Sequence, residues 1–150
     1  MKLHFSPSAL LGNVYTGGPL IFSPTDGTTL YSPCGSTLQS FDLVNSKLRT
    51  LNFSARSTIK FAAVSPCTPP LTITVDHTDH ACLINTTRGI VLHRFRFKGV
   101  VTALKFNPDG KRFAVGYSSG KVEIWRTPGA RREFSPFVLE FTFAGGITSL

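Results

Sequence analysis

Two histidines and a cysteine lie close together in residues 76–82 (DHTDHAC). His77 and His80 are three residues apart and Cys82 follows, and imidazole nitrogens and thiolates are the ligands that zinc prefers. A zinc site needs four converging ligands, however, and no second ligand pair stands at a suitable spacing. The segment therefore predicts a solvated polar turn, with a metal site as the alternative. We expect neither a metal nor another cofactor.

Residues 116–120 (GYSSG) match the G-x-S-x-G pattern that carries the nucleophile of many hydrolases. That chemistry needs a sharp turn between a strand and a helix, which exposes the serine hydroxyl above the sheet. The residues that follow, 121–125, have the pattern of a strand instead. The sequence predicts a hairpin turn around Ser118 and no catalytic residue.

Basic residues alternate with phenylalanines in residues 93–98 (HRFRFK). In a strand, this alternation places Arg94, Arg96 and Lys98 on one face and Phe95 and Phe97 on the other. A row of cations on an outer strand is suited to binding phosphate groups. The alternative is that the charges only protect the strand edge from unwanted pairing.

Three further arginines, Arg126, Arg131 and Arg132, surround a Pro-Gly dipeptide in one predicted loop. Loops on a rigid scaffold often carry contact residues, and the alternative is a solvated surface. The chain has 16 Lys and Arg against 8 Asp and Glu, a formal net charge of +8. A basic balance favours acidic partners such as nucleic acid or acidic protein surfaces. All six basic residues are therefore candidates for contact with a protein or RNA partner.

The elements that must position these residues are short strands that repeat along the chain. The tripeptides FSP, VSP and FNP begin at Phe22, Val64 and Phe106, at intervals of 42 residues. The residues that close the third strand of each unit keep the same interval: Phe41, Leu83 and Trp125. A repeat of about 40–45 residues with four strands is typical of a β-propeller blade.

The sequence thus predicts an all-β propeller with blades near residues 19–53, 59–98 and 100–143. Within the first blade, residues 33–35 (PCG) are expected to turn the chain between the second and third strands. Residues 147–150 copy the opening strand of the third unit and are expected to start a fourth. Because known propellers need about four to eight blades to close, we expect an incomplete propeller. We interpret the chain as a fragment of a longer protein or the product of a truncated gene.

Cysteine usage and hydropathy bear on the compartment. Three cysteines without C-x-x-C spacing favour a reducing compartment. No apolar run approaches the roughly 18 residues that a membrane helix needs, so no membrane partner is expected.

The units resemble WD repeats, although Arg126 follows Trp125 where that family prefers aspartate. Three stretches are more specifically similar to the periodic tryptophan protein 2 family. They are residues 11–15 (LGNVY) leading to 22–24, residues 93–99 (HRFRFKG), and residues 128–134 (PGARREF) with 137–139 (FVL). The last is the most distinctive, because a loop between blades is not determined by the fold.

This resemblance covers essentially the whole chain, as the N-terminal part of a longer protein. It implies a scaffold subunit in ribosome biogenesis that supports assembly of the small-subunit processome and pre-rRNA (18S) processing with U3 snoRNA, in the nucleolus of the nucleus. The implied partners are other processome subunits and pre-rRNA or U3 snoRNA, with no small-molecule substrate and no catalytic residues. The alternative is a generic WD-repeat adaptor for protein–protein interaction in another pathway, for which we expect a cytoplasmic location.

Overall fold

The computed structural model describes Tyr15, residues 17–128 and residues 137–150. In these residues the chain forms twelve strands, arranged as three four-stranded sheets. The first sheet contains β1 (Ile21–Phe22), β2 (Thr29–Cys34), β3 (Thr37–Asp42) and β4 (Lys47–Thr50). The second contains β5 (Ile59–Val64), β6 (Leu71–Asp76), β7 (His80–Asn85) and β8 (Ile90–Arg96). The third contains β9 (Val101–Phe106), β10 (Arg112–Tyr117), β11 (Lys121–Arg126) and β12 (Phe137–Thr142).

Each sheet is an antiparallel meander in which strands that are consecutive in sequence pair with one another. The first strands of successive sheets, β1, β5 and β9, lie beside one another, so the sheets are arranged like blades around one side of an axis. The arrangement is an incomplete WD-type propeller, which confirms the predicted fold class, and the three sheets do not close into a ring. None of the described residues forms a helix that could cross a membrane.

The limits of the predicted units enclose the observed strands, but the division into blades stays a prediction. Residues 147–150 form no strand. The amide of Ile147 nevertheless donates to the carbonyl of Tyr117 at 3.2 Å, next to the β10–β11 turn. The amide of Ile59, which opens β5, likewise donates to the carbonyl of Gly35 at 2.9 Å in the β2–β3 turn. The amide of Val101, which opens β9, donates instead to the side-chain Oδ1 of Asp79 at 3.1 Å, in the β6–β7 turn.

One turn differs from the prediction. The sequence places a turn at residues 33–35, whereas β2 continues through Pro33 and Cys34, which pair with Leu38 and Thr37 of β3. Proline lacks an amide hydrogen and is tolerated in a strand where no neighbour needs that donor. Here β1 is only two residues long and pairs no further along β2 than Tyr31, so Pro33 interrupts no ladder.

The second sheet is buried on both faces, because its side chains alternate between two apolar clusters. Ala81 and Leu83 of β7 pack in a cluster with the third sheet, whereas Cys82 and Ile84 pack in a cluster with the first. Leu83 and Ile84 are both fully buried. This alternation gives β8 one face toward each neighbouring sheet.

An aromatic group joins β8 to the third sheet. The ring of Phe95 stacks on that of Trp125 at a centroid distance of 5.3 Å, and Phe97 meets the same indole edge to face at 5.3 Å. Phe113 stacks on the indole at 6.0 Å. Because Phe95 and Phe97 point toward the third sheet, Arg96 between them must point toward the first.

Candidate functional site

The predicted alternation is confirmed within β8, which ends at Arg96, whereas Lys98 lies two residues beyond the strand. Arg94, Arg96 and Lys98 are exposed, and the phenylalanines between them are turned inward. Across the β7–β8 ladder, Arg96 lies opposite His80 and Arg94 lies opposite Cys82. Side chains of directly opposed residues share a face of the sheet. The two arginines therefore stand with His80 and Cys82 on the face toward the first sheet.

A surface cavity of about 250 Å³ lies at this place, and we call it the basic groove. Its lining residues are Arg56, His80, Ala81, Cys82, Arg94, Phe95 and Arg96. Arg56 comes from the segment between β4 and β5, which connects the first sheet to the second. The second sheet and its connection to the first thus bring together three guanidinium groups and one imidazole.

A chain of hydrogen bonds orients Arg56. Its Nη1 lies 3.3 Å from Nε2 of His80, and because a guanidinium can only donate, the imidazole nitrogen accepts. The proton of the neutral ring is then on Nδ1, which donates to Oγ1 of Thr78 at 2.9 Å. That hydroxyl donates in turn to Oδ1 of Asp76 at 2.6 Å. The tautomer of His80 thus follows from the two ends of this hydrogen-bond series: the Arg56 guanidinium can only donate, and the Asp76 carboxylate can only accept.

Asp76 also organises the turn that carries His80. Its Oδ1 accepts from the amides of Thr78 at 2.9 Å and His80 at 3.0 Å. Burial by itself raises the pKa of Asp76, but the hydrogen bonds from Thr78 and the His80 amide outweigh this effect and lower the pKa below its ordinary value. The carboxylate at the buried end of the chain therefore stays ionised.

Arg94 has a structural contact as well as an exposed position. Its Nη1 donates to the carbonyl of Ser54 at 3.2 Å and lies 3.5 Å from Sγ of Cys82. Burial raises the pKa of the Cys82 thiol, so the sulfur stays protonated and neutral. Arg94 thus holds the connection between the first and second sheets. Neither the edge-protection hypothesis nor the phosphate-binding hypothesis included this structural role.

No salt bridge joins a carboxylate directly to an arginine of the basic groove within the described part of the chain, and Asp76 is linked to Arg56 only through Thr78 and His80. The salt bridges found there join Lys121 to Glu123 and to Glu140, on the third sheet. The three arginines of the groove therefore retain their charge for an external anion.

The structure favours the polar turn over a metal site at residues 76–82. His77 is exposed, Cys82 is buried, and both ring nitrogens of His80 are engaged by protein groups. Among the residues that the structure describes, no cluster of three His, Cys, Asp or Glu could hold a metal ion.

Ser118 lies in the turn between two strands. Its amide donates to the carbonyl of Val100 at 3.0 Å, and β11 begins at Lys121. The strand-to-helix turn of the hydrolase motif is thus replaced here by a hairpin.

The remaining candidate arginines do not join the groove. Arg126 ends β11 directly opposite Arg112 of β10, on the face of the third sheet that is turned away from the second. Arg131 and Arg132 lie outside the described residues. The structure therefore unites Arg94 and Arg96 with Arg56 and His80, and separates Arg126 from them.

Sequence reasoning missed Arg56 as a site residue. It lies in a connection that does not share the repeat, and 24 residues separate it from its partner His80. His80 was considered only as a metal ligand. Its position next to Arg94 and Arg96 depends on the register of the β7–β8 pair. The repeat pattern predicts that these two strands are neighbours but does not give their register.

Comparison with known proteins identifies relatives. No protein-family profile matches the chain. Periodic tryptophan protein 2 homolog of Neurospora crassa is 42% identical over 95% of the chain, and periodic tryptophan protein 2 of Saccharomyces cerevisiae is 40% identical over 100% of it. The Arabidopsis thaliana protein of that name is 42% identical over 95%. The chain spans 15–16% of the length of these relatives. It matches a fragment of them, and it belongs to the periodic tryptophan protein 2 family.

Proposed function

We propose that this chain is part of a non-catalytic scaffold subunit in ribosome biogenesis. It supports assembly of the small-subunit processome and pre-rRNA (18S) processing with U3 snoRNA in the nucleolus. The observation that carries this proposal is the identity of about 40%, over nearly the whole chain, to periodic tryptophan protein 2 of fungi and a plant.

The architecture is suited to such a role. The second sheet is packed on both faces, so loops and outer strands project from a stiff support. The β3–β4 turn presents Leu43 and Val44, which are 52% and 71% exposed. Asp42 holds this turn, since its Oδ1 accepts from the amide of Val44 at 3.0 Å. Exposed apolar side chains on a rigid turn are suited to contact with another protein subunit.

The net charge of +8 supports an RNA-containing assembly. Binding to such an assembly through many contacts weakens with salt wherever phosphates are engaged.

The test is tagging and depletion of the protein in the organism that encodes it. We expect the tagged protein in the nucleolus, sedimentation with large pre-ribosomal particles, and accumulation of 18S precursors when the protein is depleted. Re-expression of the wild-type protein should restore 18S rRNA. A cytoplasmic protein whose depletion leaves 18S rRNA unchanged would overturn the proposal in favour of an adaptor in another pathway.

A further inference from the structure

We infer that the basic groove is a binding site for the phosphodiester backbone of single-stranded RNA. The inference rests on the proposed function for the kind of assembly in which the RNA is met. Arg56, Arg94 and Arg96 would contact the phosphates, and Lys98, exposed just beyond the end of β8, would add a further contact.

The basic groove concentrates positive charge that no salt bridge from a described residue neutralises. The groove of about 250 Å³ is lined by three guanidinium groups, and no salt bridge in the described part of the chain reaches them. Guanidinium groups bind phosphate oxygens through two parallel N–H donors, which makes arginine the favoured residue for phosphate recognition. Three such groups around one small cavity match a phosphate better than an apolar ligand.

Two arginines of the groove are held in place before any ligand binds. Arg94 is held by the Ser54 carbonyl and the Cys82 sulfur, and Arg56 is held by His80. Each of these contacts uses Nη1 and leaves the other guanidinium nitrogens without a hydrogen bond to any residue that the structure describes. A long side chain that is already ordered loses less conformational entropy when a ligand binds. The groove thus presents donors in fixed positions.

The number and spacing of the cations favour RNA over a phosphorylated peptide. Arg94 and Arg96 project from one face of β8, about 6.6–6.8 Å apart along the strand, and Lys98 is exposed two residues after the strand ends. Together with Arg56, these cations offer contacts to more than one phosphate, as a polyanionic strand requires. Ala81 and Phe95 also line the groove, but the ring of Phe95 is stacked on Trp125 and is therefore engaged within the protein.

The experiment is fluorescence anisotropy with a 5′-fluorescein-labelled single-stranded oligouridylate and the purified protein, at several salt concentrations. Arg96→Gln and Arg56→Gln should each weaken binding about tenfold, which corresponds to loss of one charge-assisted contact. Each should also reduce the slope of log K against log[salt] by about 0.7, the value for one single-stranded phosphate. Arg94 is left unchanged because it holds the connection between the sheets.

The matched control is Arg88→Gln. Arg88 is an exposed arginine of the same sheet, in the β7–β8 turn at the end remote from His80. The Arg88→Gln substitution removes the same charge as the two groove substitutions, and it should change the affinity for the oligouridylate less than twofold. Circular dichroism of each variant establishes that the fold is retained.

Three outcomes would overturn the inference. One is an equal loss of affinity in Arg88→Gln, which would indicate attraction by net charge alone. Another is full affinity in the Arg56→Gln and Arg96→Gln variants. The third is preference of the groove for a phosphoserine peptide over the oligouridylate, which would assign it to a protein partner. If these variants bind RNA normally while the protein still sediments with pre-ribosomal particles, the inference fails and the proposed function stands.

Discussion

Glu123 is a buried carboxylate whose removal should destabilise the third sheet. Its Oε2 accepts from the hydroxyl of Tyr117 at 2.6 Å and from Nε1 of Trp125 at 3.0 Å, and its Oε1 lies 2.9 Å from Nζ of Lys121. Glu123 is 6% exposed and Tyr117 is 2% exposed, whereas Lys121 is more open to solvent. The perturbation that we consider is Glu123→Ala.

The magnitude follows from what the substitution leaves unpaired. A buried hydroxyl without a partner costs roughly 1–3 kcal/mol, and the Tyr117 hydroxyl has Glu123 as its acceptor. The Trp125 nitrogen is at a half-buried residue and reaches water at a smaller cost. We therefore expect Glu123→Ala to lower the free energy of unfolding by about 3 kcal/mol. Tyr117→Phe alone should lower it by about 1–2 kcal/mol.

The decisive quantity is the coupling between the two substitutions. If most of the effect of Glu123→Ala is the stranded hydroxyl, the same substitution in the Tyr117→Phe background should be milder, with a coupling energy of about 1.5 kcal/mol. Urea unfolding measures this directly, because Trp125 is the one tryptophan of the sequence and its fluorescence reports on the third sheet. Additivity of the two substitutions within about 0.5 kcal/mol would refute the reasoning.

Two further predictions concern pH and a glycine. Burial by itself raises the pKa of Glu123, but the hydrogen bonds from its partners outweigh this effect and lower the pKa, as also happens at Asp76. A lowered folded-state pKa adds stability that is complete above the ordinary carboxylate pKa of about 4 and is lost as the pH falls through the folded value. The urea midpoint should thus be constant from about pH 7 to 5 and should fall below about pH 4. The fall should be less steep in Glu123→Gln, which cannot titrate at this position. An equal fall in that variant would contradict the assignment of the effect to Glu123. Gly120→Ala should destabilise the chain more than Gly27→Ala, since both residues have positive φ, of 84° and 65°, but a Cβ at Gly120 would overlap the Phe143 carbonyl whereas one at Gly27 meets nothing within 4 Å. Left-handed strain alone costs roughly 1–2 kcal/mol, so equal losses of stability for the two variants would show that the overlap is relieved elsewhere.

The regular part of the fold was predictable because its signals are local. The alternation of Arg94 with Phe95 depends only on strand geometry, and the interval of 42 residues depends only on copying of one unit. At Pro33 no such local signal gives the end of the strand. The predicted end of β2 was therefore two residues too early, because Pro33 and Cys34 belong to the strand. The length of β1 decided the outcome there, and nothing in the residues around Pro33 reports that length.

The candidate site was predictable only in part. The row of Arg94, Arg96 and Lys98 was visible, but the partner residue Arg56 lies in a connection without periodicity. The hydrogen-bond chain from Arg56 through His80 to Asp76 joins residues whose separation in sequence has no characteristic value.

By itself, the sequence determined the strand-rich class, the repeated unit, the faces of β8 and the family to which the chain belongs, because each of these depends on residue types at short or fixed intervals. The tertiary structure alone decided that Arg94 and Arg96 share a groove with Arg56 and His80, and that Arg126 stands apart. Those placements depend on how one sheet packs against the next, and packing brings together side chains that no interval along the chain relates.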